Sequence, residues 1–344
     1  MKAFIKAIEY HLPETILDNQ QLAVEFPDWS AEKIMAKTGI AQRHIARNDE
    51  CASDLGVLAA RKLLASGVAA AKDLDFLILC TQSPDYFLPT TACLMQDRLG
   101  LPRSCGALDV NLGCSGFVYI LGMAKGLIET GQARNVLLIT AETYSKHINV
   151  RDKSVRTVFG DGAAATLVSA FASRKSPIGP FVYGTDGSGA ANLMVPTGGM
   201  RKPRVAGAPL EQDQSNNQRT ENDLFMNGPE IFNFTLRVIP PMVEQMLQKS
   251  GLRLEQIDLW VFHQANQFML EHIRKKLGVS ESRFVLSFAD CGNTVSSTIP
   301  IALKNAAEKG QMKTGCKVAI AGFGVGYSWA GTVMEWKGPD RMTR

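Results

Sequence analysis

Three polar turns in this sequence carry residue types that can do covalent chemistry on a carbonyl. The first is Asn111-Leu112-Gly113-Cys114-Ser115-Gly116-Phe117. A short strand through Leu108-Asp109-Val110 enters it and a helical pattern leaves it. Cys114 therefore stands at or just before a helix N-terminus, where unpaired N–H groups and the helix dipole favour a thiolate. The small neighbours Gly113, Ser115 and Gly116 let a substrate approach the sulfur. The second turn follows Leu259-Trp260-Val261-Phe262 and begins with His263, at the strand edge where α/β folds place ligands. The third is Asp290-Cys291-Gly292-Asn293-Thr294.

Each residue alone has a plain structural explanation. A cytosolic Cys is commonly a small buried hydrophobe, a strand-end His is commonly a hydrogen-bonded core residue, and a turn Asn commonly caps a helix. The combination is more specific. A nucleophilic thiol can take an acyl group as a thioester. Two neutral N–H donors facing one point suit a developing enolate or oxyanion, which a carboxylate would repel. The implied chemistry is on a thioester carbonyl, in two stages.

Two glycine-rich turns accompany them. Gly322-Phe323-Gly324-Val325-Gly326-Tyr327 fails as a dinucleotide fingerprint, because position 327 is Tyr and too little sequence follows for a βαβ unit. A turn that gives backbone N–H groups to an oxyanion is the better functional reading, beside a plain tight turn. Phe159-Gly160-Asp161-Gly162-Ala163-Ala164 reads as a structural turn entering a strand.

The elements that must position these turns follow from periodicity. Apolar runs at Phe76–Cys80, Val136–Thr140, Ala164–Val168, Leu259–Phe262 and Val318–Ala321 read as buried strands. Helical patterns cover Ser53–Ala65, Gly116–Thr130, Ile231–Lys249 and Ser297–Lys309. Strands alternating with helices predict an α/β protein with a mainly parallel sheet. The pattern also repeats at an offset of roughly 180 residues. Ser66-Gly67 matches Ser250-Gly251, Leu99-Gly100 matches Leu277-Gly278, and the turn of Cys114 matches the turn of Gly292-Asn293. Two halves, 1–172 with the nucleophile and 173–344 with His263 and Asn293, would meet about a pseudo-twofold and bring those turns together. Residues 186–222 fit neither half. They are polar, rich in Gly, Pro, Asn and Gln, and carry Arg201, Lys202 and Arg204. Such a segment is a lid, a disordered insertion or a solvated loop.

Composition narrows the classes. The 344 residues carry 37 Lys plus Arg against 33 Asp plus Glu, a net charge of +4. That is no nucleic-acid footprint, though it can favour an acidic partner. The 7 Cys are odd in number and lack CxxC spacing, against both a disulfide framework and a zinc site. No apolar run is long enough to span a membrane and Met1-Lys-Ala-Phe-Ile-Lys opens no secretory segment, so a reducing cytoplasm is expected.

With these residues in hand, the sequence resembles the β-ketoacyl-acyl carrier protein synthase III family of thiolase-fold condensing enzymes. The matching motifs run along nearly the whole chain: Lys37-Thr38-Gly39-Ile40 with Arg43-His44, Asp109 to Phe117, Phe159-Gly160-Asp161-Gly162-Ala163, His263-Gln264-Ala265-Asn266, Gly292-Asn293-Thr294 and the closing glycine-rich turn. The resemblance implies a five-layered αβαβα fold of two duplicated halves, usually a homodimer. It implies that Cys114 accepts an acyl group from acyl-coenzyme A or an acyl carrier protein. It implies that His263 and Asn293 hold a malonyl thioester, carried on acyl carrier protein, during decarboxylation. The backbone N–H groups of Cys114 and Val325 would form the oxyanion hole. Leu88, Phe225, Asn266 and Phe268 match substrate-binding positions, and no metal or redox cofactor is implied. Departures are Val325 within the closing turn, where a β-branched residue resists positive φ, Gln267 and Phe268 where the family often has a basic residue, and Leu88 where an aromatic is common. Two alternatives stay open: an acyltransferase of the same fold passing its acyl group to a hydroxyl or amine, and a non-catalytic subunit. The primer, its carrier and the pathway, whether fatty-acid synthesis or a specialised product, stay open too.

Overall fold

The apolar runs pair into a five-stranded and a four-stranded sheet, in a computed structural model that describes residues 1–338; residues 339–344, the end of the second expected half, lie outside the described residues. The first sheet contains β1 (Lys2–His11), β2 (Phe76–Cys80), β3 (Gly106–Val110), β4 (Asn135–Glu142) and β5 (Gly162–Phe171), in the order β1-β5-β4-β2-β3. The second contains β6 (Ile178–Thr185), β7 (Leu259–Phe262), β8 (Lys317–Gly324) and β9 (Ser328–Glu335), in the order β7-β8-β9-β6.

The duplication shows in these orders, since β6, β9, β8 and β7 occupy the places of β1, β5, β4 and β2. The place of β3 is held in the second half by a single parallel bridge, Trp260 to Phe284. The sheets are mixed, which corrects the expectation of mainly parallel pairing. Only β2 with its neighbours β3 and β4, and β7 with β8, run parallel. The reason is the connections. A parallel neighbour needs a crossover, usually a helix. β8 instead returns to antiparallel β9 through the tight Val325-Gly326-Tyr327 turn, and only short helical turns, Tyr144–His147 and Lys153–Arg156, separate β4 from antiparallel β5.

Helices complete five layers. α1 (Ala52–Ala65) and α2 (Thr91–Arg98) cover the outer face of the first sheet, where Leu55, Leu63 and Met95 pack on Leu77, Leu137 and Leu167. α3 (Gly116–Glu129) and α6 (Thr298–Glu308) lie between the sheets, where Phe117, Leu121, Ile299 and Leu303 join Ile78 and Leu138 to Val261 and Ile320. α4 (Gly228–Ser250) and α5 (Gln267–Leu277) cover the second sheet with Phe234, Met246 and Leu270 over Trp260 and Phe262. α3 buries Gly116, Phe117, Val118, Ile120, Leu121, Ala124 and Ile128, so its apolar surface is far wider than one stripe, as a helix packed between two sheets requires. Each such fully buried large aliphatic contributes about 1.5–3 kcal/mol, which ties the start of α3, and thus Cys114, to the middle of the molecule.

The 186–222 segment is ordered and tied to the body through Arg219, while its basic cluster lies at the surface. Arg219 bridges Asp152 at 3.0 Å and Asp213 at 3.3 Å. Asn222 Oδ1 accepts from Thr197 Oγ1 at 2.6 Å and from the Val205 N–H at 3.0 Å. Lys202 pairs with Glu221, while Arg201 is exposed. Among the described residues no helix is long and apolar enough to cross a membrane.

Candidate active site

Cys114 sits between the end of β3 and the first residue of α3, and is only 5% exposed. Strand β8 crosses directly over it and can do so only as glycine. A Cβ on Gly322 would lie 2.7 Å from the Cys114 carbonyl oxygen, and one on Gly324 would lie 2.8 Å from Cys114 Sγ. Ser115 Oγ and Ser328 Oγ, 2.8 Å apart, fasten the two segments. The backbone N–H groups of Val325 and of Cys114 itself aim at the sulfur and favour its anion. Burial outweighs them and pushes the thiol up to about 12. This corrects the expectation of a thiolate at rest: the helix terminus is present, but it is sealed from water.

His263 extends β7, with its N–H on the Ala321 carbonyl at 2.8 Å. Its Nδ1 lies 2.7 Å from Thr298 Oγ1. Burial holds its pKa down, at about 3, so the imidazole is neutral at ordinary pH. Asn293 is held by backbone bonds on both sides: its N–H donates to Val158 at 2.9 Å, and its carbonyl accepts from Gly160 at 3.1 Å. Its side-chain Oδ1 accepts the Val295 N–H at 2.9 Å, which turns the NH₂ outward as a donor. Val295 adopts φ 53°, a conformation costly for a β-branched residue.

The three side chains line one chamber of about 80 Å³, together with Phe159, Leu193, Asn266 and Phe323. Cys114 and His263 are the titratable groups of that lining. The chamber has room for a few heavy atoms, since a water occupies about 30 Å³. A second cavity of about 730 Å³ shares Leu193 with it and is lined by Gln82, Asn111, Tyr144, His147, Arg204 and Val325. Val325 is not among the residues with positive φ, so its β-branch is accommodated there.

The other expected substrate residues separate. Asn266 lines the small chamber and caps α5, accepting the Met269 N–H at 2.9 Å. Leu88, Phe225 and Phe268 line neither cavity. Leu88 points outward on a surface loop, 82% exposed. Phe225 lies 4.8 Å under the Arg219 guanidinium. Phe268 is 55% exposed and packs on His272, because α5 turns Met269, Leu270 and Ile273 inward instead.

Glu142, Thr298 and Trp29 escaped the sequence-based reading. Glu142 is fully buried at the end of β4; it accepts from Ser296 Oγ at 2.8 Å, from the Gln82 N–H at 3.1 Å and from Ser83 Oγ at 3.2 Å. Burial pushes its carboxyl up to about 8. The only cue in the sequence was a single acid closing an apolar strand. Trp29 has the ammonium groups of Lys37, Lys33 and Lys153 at 4.9, 5.6 and 6.0 Å from its ring centre, a cluster of cation–π contacts. Lysines four and eight positions after the indole were its signal.

Comparison with known proteins identifies the family and the fold. Residues 108–187 match the family model described as 3-oxoacyl-[acyl-carrier-protein (ACP)] synthase III, and residues 247–336 match the model of its C-terminal part. The chain is 37% identical to the beta-ketoacyl-[acyl-carrier-protein] synthase III of Caldanaerobacter subterraneus subsp. tengcongensis, over 95% of each chain. It superposes on a crystal structure of a 3-oxoacyl-(acyl-carrier-protein) synthase III with a TM-score of 0.96 at 52% identity, covering 98% of this chain and 100% of that one. A 3-oxoacyl-(acyl-carrier protein) synthase from Burkholderia xenovorans LB400 gives a TM-score of 0.90 at 37% identity, over 98% of this chain and 95% of the other.

Proposed function

The chain belongs to the 3-oxoacyl-[acyl-carrier-protein] synthase III family, and on that premise we propose that it is an acyltransferase that joins an acyl primer to a malonyl thioester by decarboxylative Claisen condensation. The observation that carries the reading is the single chamber shared by one thiol and two neutral nitrogen groups, Cys114, His263 and Asn293.

The first stage is acyl transfer. Cys114 Sγ attacks the primer's thioester carbonyl while the Val325 and Cys114 N–H groups receive the developing oxyanion. The carbon–sulfur bond to the carrier breaks, and the proton lost by Sγ leaves with the departing thiol. The thiol is neutral at rest, so proton loss and attack are coupled.

The second stage is condensation. His263 and Asn293 donate to the thioester carbonyl oxygen of the malonyl group. The bond to its carboxylate breaks, carbon dioxide leaves, and the electron pair passes into the enolate they hold. The α-carbon then attacks the acyl–Cys114 carbonyl, the bond to Sγ breaks, and the sulfur regains a proton from solvent. A donor placed in this way contributes about 2.7–4 kcal/mol to the transition state. Transfer to a hydroxyl or amine needs no such pair.

The primer arrives on coenzyme A or an acyl carrier protein, and the malonyl group on acyl carrier protein; no resident cofactor is called for. The large cavity behind Val325 has space for the acyl chain. In the same reading the protein is a cytoplasmic homodimer, with the exposed Tyr86-Phe87-Leu88 tip as an apolar surface that a second copy would cover.

Weighing the intact protein after incubation with acyl thioesters tests the nucleophile. Wild type should gain one acyl group and Cys114→Ala none; a stoichiometric adduct on the Ala variant would refute the assignment. Asn293→Ala should still acylate while decarboxylating on the order of 100- to 1000-fold more slowly. Equal losses in both half-reactions would contradict the division of roles.

A further inference from the structure

The turn that carries Asn293 also bears on which nitrogen of His263 presents a proton to the chamber, and we infer that the Thr298 hydroxyl sets this tautomer. The inference rests on the functional reading above. Thr298 is the first residue of α6 and is 2% exposed. Its Oγ1 lies 2.7 Å from His263 Nδ1 and 3.0 Å from the Val295 carbonyl oxygen.

A hydroxyl has one proton to give. Given to Nδ1, it leaves the neutral imidazole's own proton on Nε2, so His263 offers the chamber an N–H. Given to Val295, it makes Nδ1 the donor toward Thr298, and Nε2 turns a lone pair to the chamber. Only the first arrangement matches Asn293, whose Oδ1 is already occupied and whose NH₂ donates. The second would set a lone pair against the negative oxygen of an enolate. The contact to Nδ1 is the shorter of the two.

The same turn supplies the competitor. The Val295 backbone acts on the imidazole in the sense that favours its protonation, as a carbonyl, which can only accept, would. Without the hydroxyl it would draw the single imidazole proton to Nδ1, the wrong side for holding an enolate. Thr298 touches neither substrate nor reacting atoms, so it is a positioning residue. Its effect falls on the second stage alone, because acyl transfer to Cys114 draws on the N–H groups of Val325 and Cys114.

Thr298→Val keeps the side-chain shape and removes the hydroxyl; Thr298→Ser keeps the hydroxyl. With the Val variant, acylation of Cys114, followed by protein mass, should stay within about twofold of wild type, while malonyl-thioester decarboxylation should fall on the order of 10- to 100-fold. The Ser variant should recover most of that loss. In ¹⁵N-histidine-labelled protein, Nε2 of His263 should resonate as a protonated nitrogen in wild type and as an unprotonated one in Thr298→Val. Undiminished decarboxylation by the Val variant overturns the inference, as does an unprotonated Nε2 in wild type. Equal loss of both half-reactions, unrescued by Ser, would show a merely structural role and overturn it too. Failure of wild type to acquire an acyl group at Cys114 is a different result, which removes the functional reading itself.

Discussion

At the residue scale, Cys114, the proposed nucleophile, has surroundings that keep it protonated. Two backbone N–H groups favour the anion, but loss of water around the sulfur is the larger effect. Cys291 is pushed up to about 12 by burial as well, yet it lines no chamber with His263. Location, not acidity, separates the two thiols. Alkylation of Cys114 by iodoacetamide, followed by peptide mass spectrometry, should therefore rise about tenfold per pH unit from pH 7 to 10 with no plateau. A plateau near neutrality would mean that the helix terminus does hold a thiolate. The three residues that line the chamber, Cys114, His263 and Asn293, were singled out in the sequence because each stands in its own short motif. The acidity was not legible, because the seal over Cys114 is made by Gly322 and Gly324, more than two hundred positions away.

At the element scale, the turn around Asn293 is a clamp assembled from distant segments. Gly160 donates to the Asn293 carbonyl, Val158 accepts its N–H, and Arg43 is packed beneath, with its guanidinium on the Thr157 carbonyl. A Cβ on Gly160 would come within 2.3 Å of the Cys291 carbonyl oxygen, a backbone atom that cannot swing aside. Gly160→Ala should cost about 1–3 kcal/mol of stability, read as a lower denaturant midpoint. It should also slow decarboxylation more than acylation, since it displaces Asn293 and leaves the Cys114 turn alone. Acylation falling in step with decarboxylation would count against that local picture. The Phe159-Gly160-Asp161-Gly162 motif was legible as a structural turn, and Asp161 fits that reading by accepting from the Ala46 N–H, the Ser145 N–H and Ser145 Oγ. That the turn holds Asn293 was not legible, since the bond from Gly160 to Asn293 exists only once the two halves meet.

At the scale of the whole molecule, the two halves are joined through a buried polar seam. Glu142 of the first half accepts from Ser296 of the second, and Ser297 Oγ donates to the Thr140 carbonyl at 3.0 Å. With its pKa raised from 4.5 to about 8 in the fold, Glu142 binds a proton natively that the unfolded chain releases sooner. The sign follows: its contribution is fully present below the unfolded value and is lost as pH rises through about 8. Unfolding free energy should decline between pH 5 and 8 by on the order of 1 kcal/mol per pH unit more in wild type than in Glu142→Gln, which stays neutral. Identical slopes for the two proteins would place the carboxyl's charge elsewhere.

The sequence by itself determined the α/β class, the duplication, the strand and helix runs and the choice of the three residues that meet in the chamber. Those features are local, written in periodicity and in motifs a few residues long. Only the tertiary structure decided the mixed strand pairing, the anchoring of residues 186–222 and the outward placement of Leu88 and Phe268. It also decided the neutral state of Cys114 and the setting of His263 by Thr298. These depend on which surfaces lose water and which lone pairs find partners, and both are fixed when remote segments pack together.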